Sequence, residues 1–150
     1  LKYVREAAKM LSTEYGVISE VWSVTSYGEL RRFGLEAERK TRLDPEDRKI
    51  PYVSECFGDQ TPTVAVSDYI ASVPEMIHRW VGGRFVVLGT DGFGRSDSRE
   101  ALRSFFEIDT SSIVIAALSA LEQDGVLPTG TVKKASKDLG VTSEKADKTV

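Results

Sequence analysis

The residues of this chain that could take part in chemistry are concentrated in one glycine-rich loop, Asp91-Gly92-Phe93-Gly94-Arg95-Ser96-Asp97. The loop follows the β-branched and aromatic run Phe85–Leu88 and leads into a helix for which Asp97 and Glu100 are candidate capping residues. A strand that delivers a glycine-rich loop to a helix start is a common binding place in α/β proteins, because free backbone N–H groups point outward there. The loop is therefore the first candidate for a binding site.

The glycine spacing in this loop begins like the dinucleotide fingerprint, but Asp97 stands where the third glycine is needed for close helix packing. Its carboxylate would also repel a pyrophosphate, and the chain has no phosphate loop of the Gly-Lys-Ser/Thr kind. Asp91, Arg95, Ser96 and Asp97 are equally suited to a local hydrogen-bonded lock in which Arg95 bridges carboxylates. A ligand site and a structural lock are both open interpretations of the loop.

Isolated reactive side chains elsewhere do not indicate a catalytic site. His78 is the only histidine and lies within a helical pattern beside apolar residues, so a solvated or packed ring is favoured over a general base. Cys56, the only cysteine, has no neighbouring cysteine or histidine, which argues against a metal site, an activated thiol or an internal disulfide. The aromatic residues on apolar periodicities are predicted to lie in the core: Trp22, Trp80, Phe105 and Phe106. No catalytic, cofactor-binding or metal-binding residue is predicted.

Hydrophobic periodicity places these residues on alternating strands and helices. Helices are predicted at residues 3–15, 27–43, 51–57, 69–80 and 112–121, with a further helix carrying Leu102, Phe105 and Phe106. Strands are predicted at residues 17–24, 63–67 and 85–88. Ser26 with Glu29 forms a candidate capping box, Asp109 a candidate start of the apolar helix, and residues 129–150 a peripheral, weakly helical tail. The pattern predicts parallel βαβ units in one α/β domain over residues 1–150, without repeats.

Composition limits the class of protein. The 150 residues are 41% hydrophobic, which suffices for one core. Twenty basic and 23 acidic residues give a formal net charge of −3, so neither nucleic acid nor a membrane surface is an expected partner. The apolar window 113–121 is about half a membrane span, which favours a buried helix. With a lone cysteine and no recognisable leader, a cytoplasmic protein is expected.

The motif Leu88 to Asp97, with Trp22-Ser23-Val24-Thr25-Ser26 upstream and Phe106-Glu107-Ile108-Asp109 downstream, closely resembles the C-terminal region of a known family, the homodimeric pyruvate dehydrogenase decarboxylating component. The resemblance extends to Ser98-Arg99-Glu100-Ala101-Leu102-Arg103, Tyr52-Val53, Ser67-Asp68-Tyr69 and residues 113–121, and so to nearly the whole chain. It implies a transketolase-like enzyme that decarboxylates pyruvate with thiamine diphosphate and Mg²⁺. The acetyl group then passes to lipoyl groups of a dihydrolipoyl acetyltransferase core.

The resemblance places the cofactor outside this chain. The family holds it in its first two domains, through a Gly-Asp-Gly motif, a downstream asparagine on Mg²⁺ and a glutamate on the aminopyrimidine. This chain contains no asparagine, and its nearest approach to the motif is Gly58-Asp59-Gln60. No cofactor-binding residue is transferred, and the chain alone is expected to be catalytically inactive.

The fold implied by the resemblance is a three-layer α/β/α sandwich with a small, mostly parallel sheet that contributes to the dimer. The family's first long strand precedes the helix predicted here at residues 3–15. That strand would lie between residues 17–24 and 63–67, so the sheet of this chain is expected to lack a central strand. Unpaired apolar edges would then favour aggregation or swapping, and a sharp, reversible thermal transition of a monomer would contradict this hypothesis.

The leading functional hypothesis is therefore a noncatalytic C-terminal domain that supports dimerisation and shapes the surroundings of an active site. Its partners would be the remaining domains and the second subunit. Residues Asp91 to Asp97 are the candidate structural or interface loop. Two alternatives are a free-standing module that binds a small anionic metabolite at this loop, and a regulatory domain that uses the charged helix face at residues 31–42.

Overall fold

The computed structural model describes residues 1–142 of the chain as seven α-helices, one 3-10 turn and two strands. In chain order these elements are α1 (Lys2–Tyr15), α2 (Tyr27–Leu43), α3 (Tyr52–Phe57), β1 (Thr63–Val66), α4 (Ser72–Glu75), the 3-10 turn (His78–Trp80), β2 (Phe85–Leu88), α5 (Arg99–Phe105), α6 (Thr110–Gln123) and α7 (Thr131–Asp138).

The two strands form a parallel sheet that packs on α6. Thr63 of β1 lies opposite Phe85 of β2, and the register continues to Val66 opposite Leu88. Parallel strands require a crossover connection, and here α4 and the 3-10 turn lie between the two strands in the chain. The α/β class and the strands predicted at residues 63–67 and 85–88 are confirmed.

The first hydrophobic core is built around α6, which packs on α1, α7 and the sheet. The buried side chains of this core include Ala7, Leu11, Val114, Leu118 and Ala135. The α6 helix begins as predicted, because the Asp109 carboxylate accepts a hydrogen bond from the Ser112 N–H at 2.9 Å. The tail predicted at residues 129–150 contributes α7 to this core, and its residues 143–150 lie outside the described ones.

The second core surrounds Trp80, the 3-10 turn residue that packs with Val53 and Ile77. Gly34 of α2 lies against the indole: a Cβ at this position would stand 2.5 Å from a Trp80 ring carbon. The Trp80 Nε1–H donates to a Glu38 carboxylate oxygen at 2.8 Å. The prediction of a core position for Trp80 is confirmed, and α2 is attached to the domain through this residue.

The strand predicted at residues 17–24 is wrong for the described structure. This segment forms no strand, and Ile18, Val21 and Trp22 are 91%, 39% and 51% exposed. A strand requires a hydrogen-bonded neighbour, and in the described residues β1 pairs with β2 alone. Trp22 is accordingly not a core residue; its ring meets the edge of Phe57 with centroids 5.2 Å apart.

The helix predicted at residues 69–80 is also wrong in its extent. It is divided into α4 and the 3-10 turn. The Ala71 N–H donates to the side chain of Asp91, and Met76, Ile77 and Trp80 form i→i−3 rather than i→i−4 hydrogen bonds. The apolar stripe nevertheless reaches the core, since Ile77 and Trp80 are buried.

The most apolar part of the chain is interrupted in the structure. By length and composition alone, the segment Arg99–Gln123 meets the requirements of a helix that crosses a membrane. They form two helices, α5 and α6, separated by a turn in which Glu107 adopts a positive φ of 56°. Because α6 packs on α1, α7 and the sheet, it has the contacts of the core helix predicted at residues 112–121.

Candidate functional site

The candidate site lies at the carboxyl edge of the sheet, where both strands end side by side. Ser67, Asp68 and Tyr69 follow β1, and Gly89, Thr90 and Asp91 follow β2. The sheet hydrogen bonding continues past the strands, because the Ser67 N–H donates to the Leu88 carbonyl at 2.9 Å. In parallel α/β sheets, ligands and partners bind at this edge.

The two loops at this edge are held together by hydrogen bonds from the backbone and the side chain of Thr90. Its N–H donates to the Tyr69 carbonyl at 2.9 Å, and its hydroxyl donates to the Asp68 carbonyl at 2.9 Å. Gly89 permits this approach, since a Cβ there would stand 2.5 Å from the Ala71 nitrogen. The first part of the glycine-rich loop is therefore fixed to the neighbouring connection.

Asp91 extends the same attachment with its side chain. Both carboxylate oxygens accept from the Ala71 N–H, at 3.2 and 3.3 Å. The next residue, Gly92, has a φ of 106°, a conformation that side-chain-bearing residues rarely adopt. Asp91 thus anchors the loop and Gly92 turns it away from the sheet.

The remainder of the loop faces solvent. Residues 92–100 are all exposed, and Phe93 has 77% of its surface accessible. The Arg95 guanidinium lies 4.0 Å from the centroid of the Phe105 ring, a cation–π contact, and among the described residues it forms no ion pair. The sequence predicts that Arg95 bridges carboxylates. In the structure its guanidinium instead contacts Phe105 of α5.

The start of α5 differs by one residue from the prediction. Ser98 is the capping residue, and its hydroxyl accepts from the Ala101 N–H at 3.2 Å. The Asp97 carboxylate accepts from the Ser98 N–H at 2.7 Å. Asp97 therefore supports the residue that caps the helix and is not itself the cap. Ser96, between Arg95 and the helix, is exposed.

A cavity of about 450 Å³ lies between the glycine-rich loop and α5. Leu102, Phe106 and Ile108 line its apolar part, and Asp68, Arg95, Asp97, Arg99 and Arg103 are its charged lining residues.

Arg103 connects this cavity to the first helix. Its Nη2 pairs with an Asp68 carboxylate oxygen at 2.8 Å, while the guanidinium lies 4.7 Å from the centroid of the Tyr3 ring. Its Nε is buried without a hydrogen-bond partner among the described residues. Sequence patterns alone do not place this arginine in the site. The one indication in the sequence is its spacing from Arg99, four residues earlier, which puts both side chains on the same face of a helix.

The other candidates lie apart from this edge. His78 is exposed, and its ring meets Phe85 edge-on with centroids 5.5 Å apart. The neighbouring Cys56 thiol raises the pKa of the Tyr52 hydroxyl above its ordinary value. Within residues 1–142, no group of three or more histidine, cysteine or carboxylate side chains is placed to hold a metal ion. The absence of catalytic and metal-binding residues stays a prediction.

The charged face of α2 carries two ion pairs within the helix. Arg32 pairs with Glu29 at 2.6 Å and Lys40 with Glu36 at 2.8 Å, which lowers the pKa of both glutamates. All four side chains are about half exposed. This is the arrangement of a solvated helix surface.

Comparison with known proteins assigns this architecture to a family. A family model described as the transketolase-like TK C-terminal domain matches residues 1–109. The chain is 47% identical over 148 residues to the pyruvate dehydrogenase E1 component of Pseudomonas aeruginosa, covering 97% of the chain and 17% of that protein. It is 43% identical over 149 residues to the protein of the same name from Escherichia coli, covering 98% of the chain and 17% of that protein.

A third relative has similar identity to the chain. The pyruvate dehydrogenase E1 component of Mycolicibacterium smegmatis is 41% identical over 137 residues, 90% of the chain and 15% of the relative. The chain thus spans about a sixth of the length of the relatives it matches. On the evidence of its α/β architecture and the family match over residues 1–109, the chain belongs to the transketolase-like C-terminal domain family.

Proposed function

We propose that this chain is the C-terminal, noncatalytic domain of a bacterial pyruvate dehydrogenase E1 component that acts in the cytoplasm. The complete enzyme would oxidatively decarboxylate pyruvate and transfer the acetyl group to lipoyl groups of a dihydrolipoyl acetyltransferase core. The observation that supports this most strongly is 43–47% identity to two such components over 97–98% of the chain.

Thiamine diphosphate with Mg²⁺ would supply carbanion stabilisation in the complete enzyme, but the residues of this chain do not fit a site for it. Asp59 lies in the nearest approach to a Gly-Asp-Gly motif, and its carboxylate oxygens accept from the N–H and hydroxyl of Thr61. No asparagine is present to complete a Mg²⁺ site. We therefore assign no cofactor contact to this domain.

The contribution of the domain is positional. The fixed start of the glycine-rich loop, held by Thr90 and Asp91, supports an exposed segment that carries Phe93 and Arg95. A rigid base with exposed aromatic and arginine side chains is suited to contact another polypeptide surface. The loop would thereby help to hold the remaining domains and the second subunit around the active site.

Arg95→Ala in the complete enzyme tests this role. We expect weaker dimerisation or lower turnover, because the substitution removes a charge-bearing contact at the exposed end of the loop. Sedimentation analysis and the rate of pyruvate decarboxylation are the measurements. Arg48→Ala, an exposed arginine outside the loop, is the matched control. Unchanged dimer affinity and turnover in Arg95→Ala would contradict the proposal.

A second candidate function is the binding of a small anionic metabolite at the loop, which the arginine-lined cavity favours. Calorimetric titration of the chain with thiamine diphosphate, nucleotides and 2-oxo acids separates the two proposals. A positional domain predicts no heat of binding with any of them. Saturable binding that is lost in Arg95→Ala would favour the metabolite site instead.

A further inference from the structure

The charges that line the cavity beside the glycine-rich loop are not balanced. Asp68 is already paired with Arg103, with a nitrogen–oxygen distance of 2.8 Å. Among the described residues, neither Arg95 nor Arg99 forms an ion pair, and the Arg95 guanidinium lies over the Phe105 ring. The lining therefore holds two guanidinium groups without an ionic partner and one further carboxylate, that of Asp97. The Asp97 carboxylate is in turn engaged with the Ser98 N–H at 2.7 Å. The cavity is therefore complementary to an anion.

Guanidinium groups favour a carboxylate as the anionic partner, because the planar fork of N–H donors matches its two oxygens. The apolar side of the same cavity, formed by Leu102, Phe106 and Ile108, favours an occupant that also carries a hydrocarbon portion. An occupant with a carboxylate and a hydrocarbon portion would place the hydrocarbon over Leu102, Phe106 and Ile108, and its carboxylate beside the guanidinium groups of Arg95 and Arg99.

The shape of the site favours a polypeptide over a free small molecule. A small-molecule pocket buries most of its ligand, whereas here residues 92–100 are all exposed and Phe93 is 77% accessible. An exposed aromatic ring next to arginines is the composition typical of the centre of a protein–protein contact.

We propose that this cavity receives an acidic segment of the complete enzyme that lies outside this chain's sequence. An Asp or Glu of that segment pairs with Arg95 and Arg99, and a neighbouring apolar side chain packs on Leu102 and Phe106. The proposal rests on the proposed function, since the complete enzyme supplies the segment.

Carbodiimide cross-linking of the complete enzyme tests the contact directly. Arg95→Lys and Arg99→Lys keep the positive charge and introduce an amine, which the reagent joins to a carboxylate in direct contact. Peptide mass spectrometry then identifies the partner residue. We expect an amide link to an Asp or Glu outside this chain's sequence, severalfold more abundant than in the control Arg48→Lys. The yield should fall in 1 M salt, where the Debye length is about 3 Å.

Links to Asp68 or Asp97 alone, or no links above the control, would overturn the proposal. Saturable acetate binding that depends on Arg95, without links to another segment, would identify a small carboxylate as the occupant and would equally overturn it. These results are distinguishable from failure of the proposed function. An enzyme that is dimeric, active and sensitive to Arg95→Ala but gives no such link retains its function and lacks only the acidic contact.

Discussion

Gly34 is the one buried residue of α2 and the point at which that helix meets the indole of Trp80. The ring carbons stand 2.5–2.6 Å from the place that a Cβ would occupy. Two polar contacts complete the junction, because Glu38 accepts from both the Trp80 indole at 2.8 Å and the Arg79 guanidinium at 3.1 Å. Because Gly34 has a hydrogen in place of a side chain, α2 can approach the Trp80 ring this closely.

Gly34→Ala is expected to destabilise the domain. Overpacking of this kind costs about 1–3 kcal/mol, whereas alanine gains roughly 1 kcal/mol or less over glycine within a helix. Urea unfolding followed by circular dichroism should show a lower midpoint. Gly28→Ala is the matched control on the same helix, since the nearest atom to its Cβ would be the Ser26 hydroxyl at 3.8 Å. A midpoint for Gly34→Ala at or above that of Gly28→Ala would contradict the packing argument.

Local chemistry at single residues was predictable from sequence, and contacts between distant residues were not. The Ser26 hydroxyl accepts from the Glu29 N–H at 3.2 Å, as its spacing predicts. The cap at Asp109 is confirmed for the same reason. The partner of Arg95 depends on where α5 lies relative to the loop, and no spacing within the loop contains that information.

At the scale of elements, predictions succeeded where a local cap or a paired strand supports the element's own pattern, as for α2 and β2. The helix over Tyr27–Leu43 and the strand over Phe85–Leu88 have the predicted bounds. Residues 17–24 have the composition of a strand but lack a neighbour for hydrogen bonding within the described residues. Residues 69–71 have a helical pattern, but the Ala71 N–H is engaged by Asp91, 20 residues away. Both errors come from partners distant in sequence.

The α7 helix illustrates how one carboxylate attaches an element to the core. Glu122, near the end of α6, accepts from the Val132 N–H at 2.8 Å and the Gly130 N–H at 3.0 Å. These backbone donors lower the pKa of Glu122 below its ordinary value of 4.5. The carboxylate oxygens of Glu122 in turn act as acceptors for N–H groups at the start of α7, which have no acceptor within the helix. The carboxylate is therefore a cap provided by the neighbouring helix.

Glu122→Gln is expected to weaken the docking of α7 in a pH-dependent way. Because the folded pKa is lowered, the stabilisation is fully present above 4.5 and is lost as the pH falls through the folded value. The variant should therefore have a lower urea midpoint than the parent at pH 7, with the difference closing as the pH falls below 4.5. The exposed Glu20→Gln serves as control. A difference that is independent of pH would argue against the carboxylate cap.

At the scale of the whole molecule, one segment carries large apolar side chains that neither core of the domain buries. The core around α6 is enclosed by α1, α7 and the sheet. Beside it, the extended segment at residues 17–24 exposes Ile18 at 91% and Trp22 at 51%. Large apolar side chains on an extended segment without strand partners are the features of an edge that another polypeptide covers. In a chain that spans about a sixth of its relatives' length, the remaining polypeptide is the natural candidate.

Hydrogen exchange should reveal that coverage. We expect the amides of residues 17–24 to exchange freely in the isolated chain and slowly in the complete enzyme, because backbone pairing and burial must open before exchange occurs. Val17 is the exception, since its N–H already donates to the Leu11 carbonyl at 3.0 Å. An opening free energy of about 3 kcal/mol corresponds to roughly hundredfold protection. Glu46, Arg48 and Ile50 lie in the exposed connection between α2 and α3, and their N–H groups donate to no other described residue. Their amides provide the internal reference and should stay fast in both samples. Fast exchange at 17–24 in the complete enzyme would mean that the segment remains an uncovered loop, and its strand-like composition would then need another explanation.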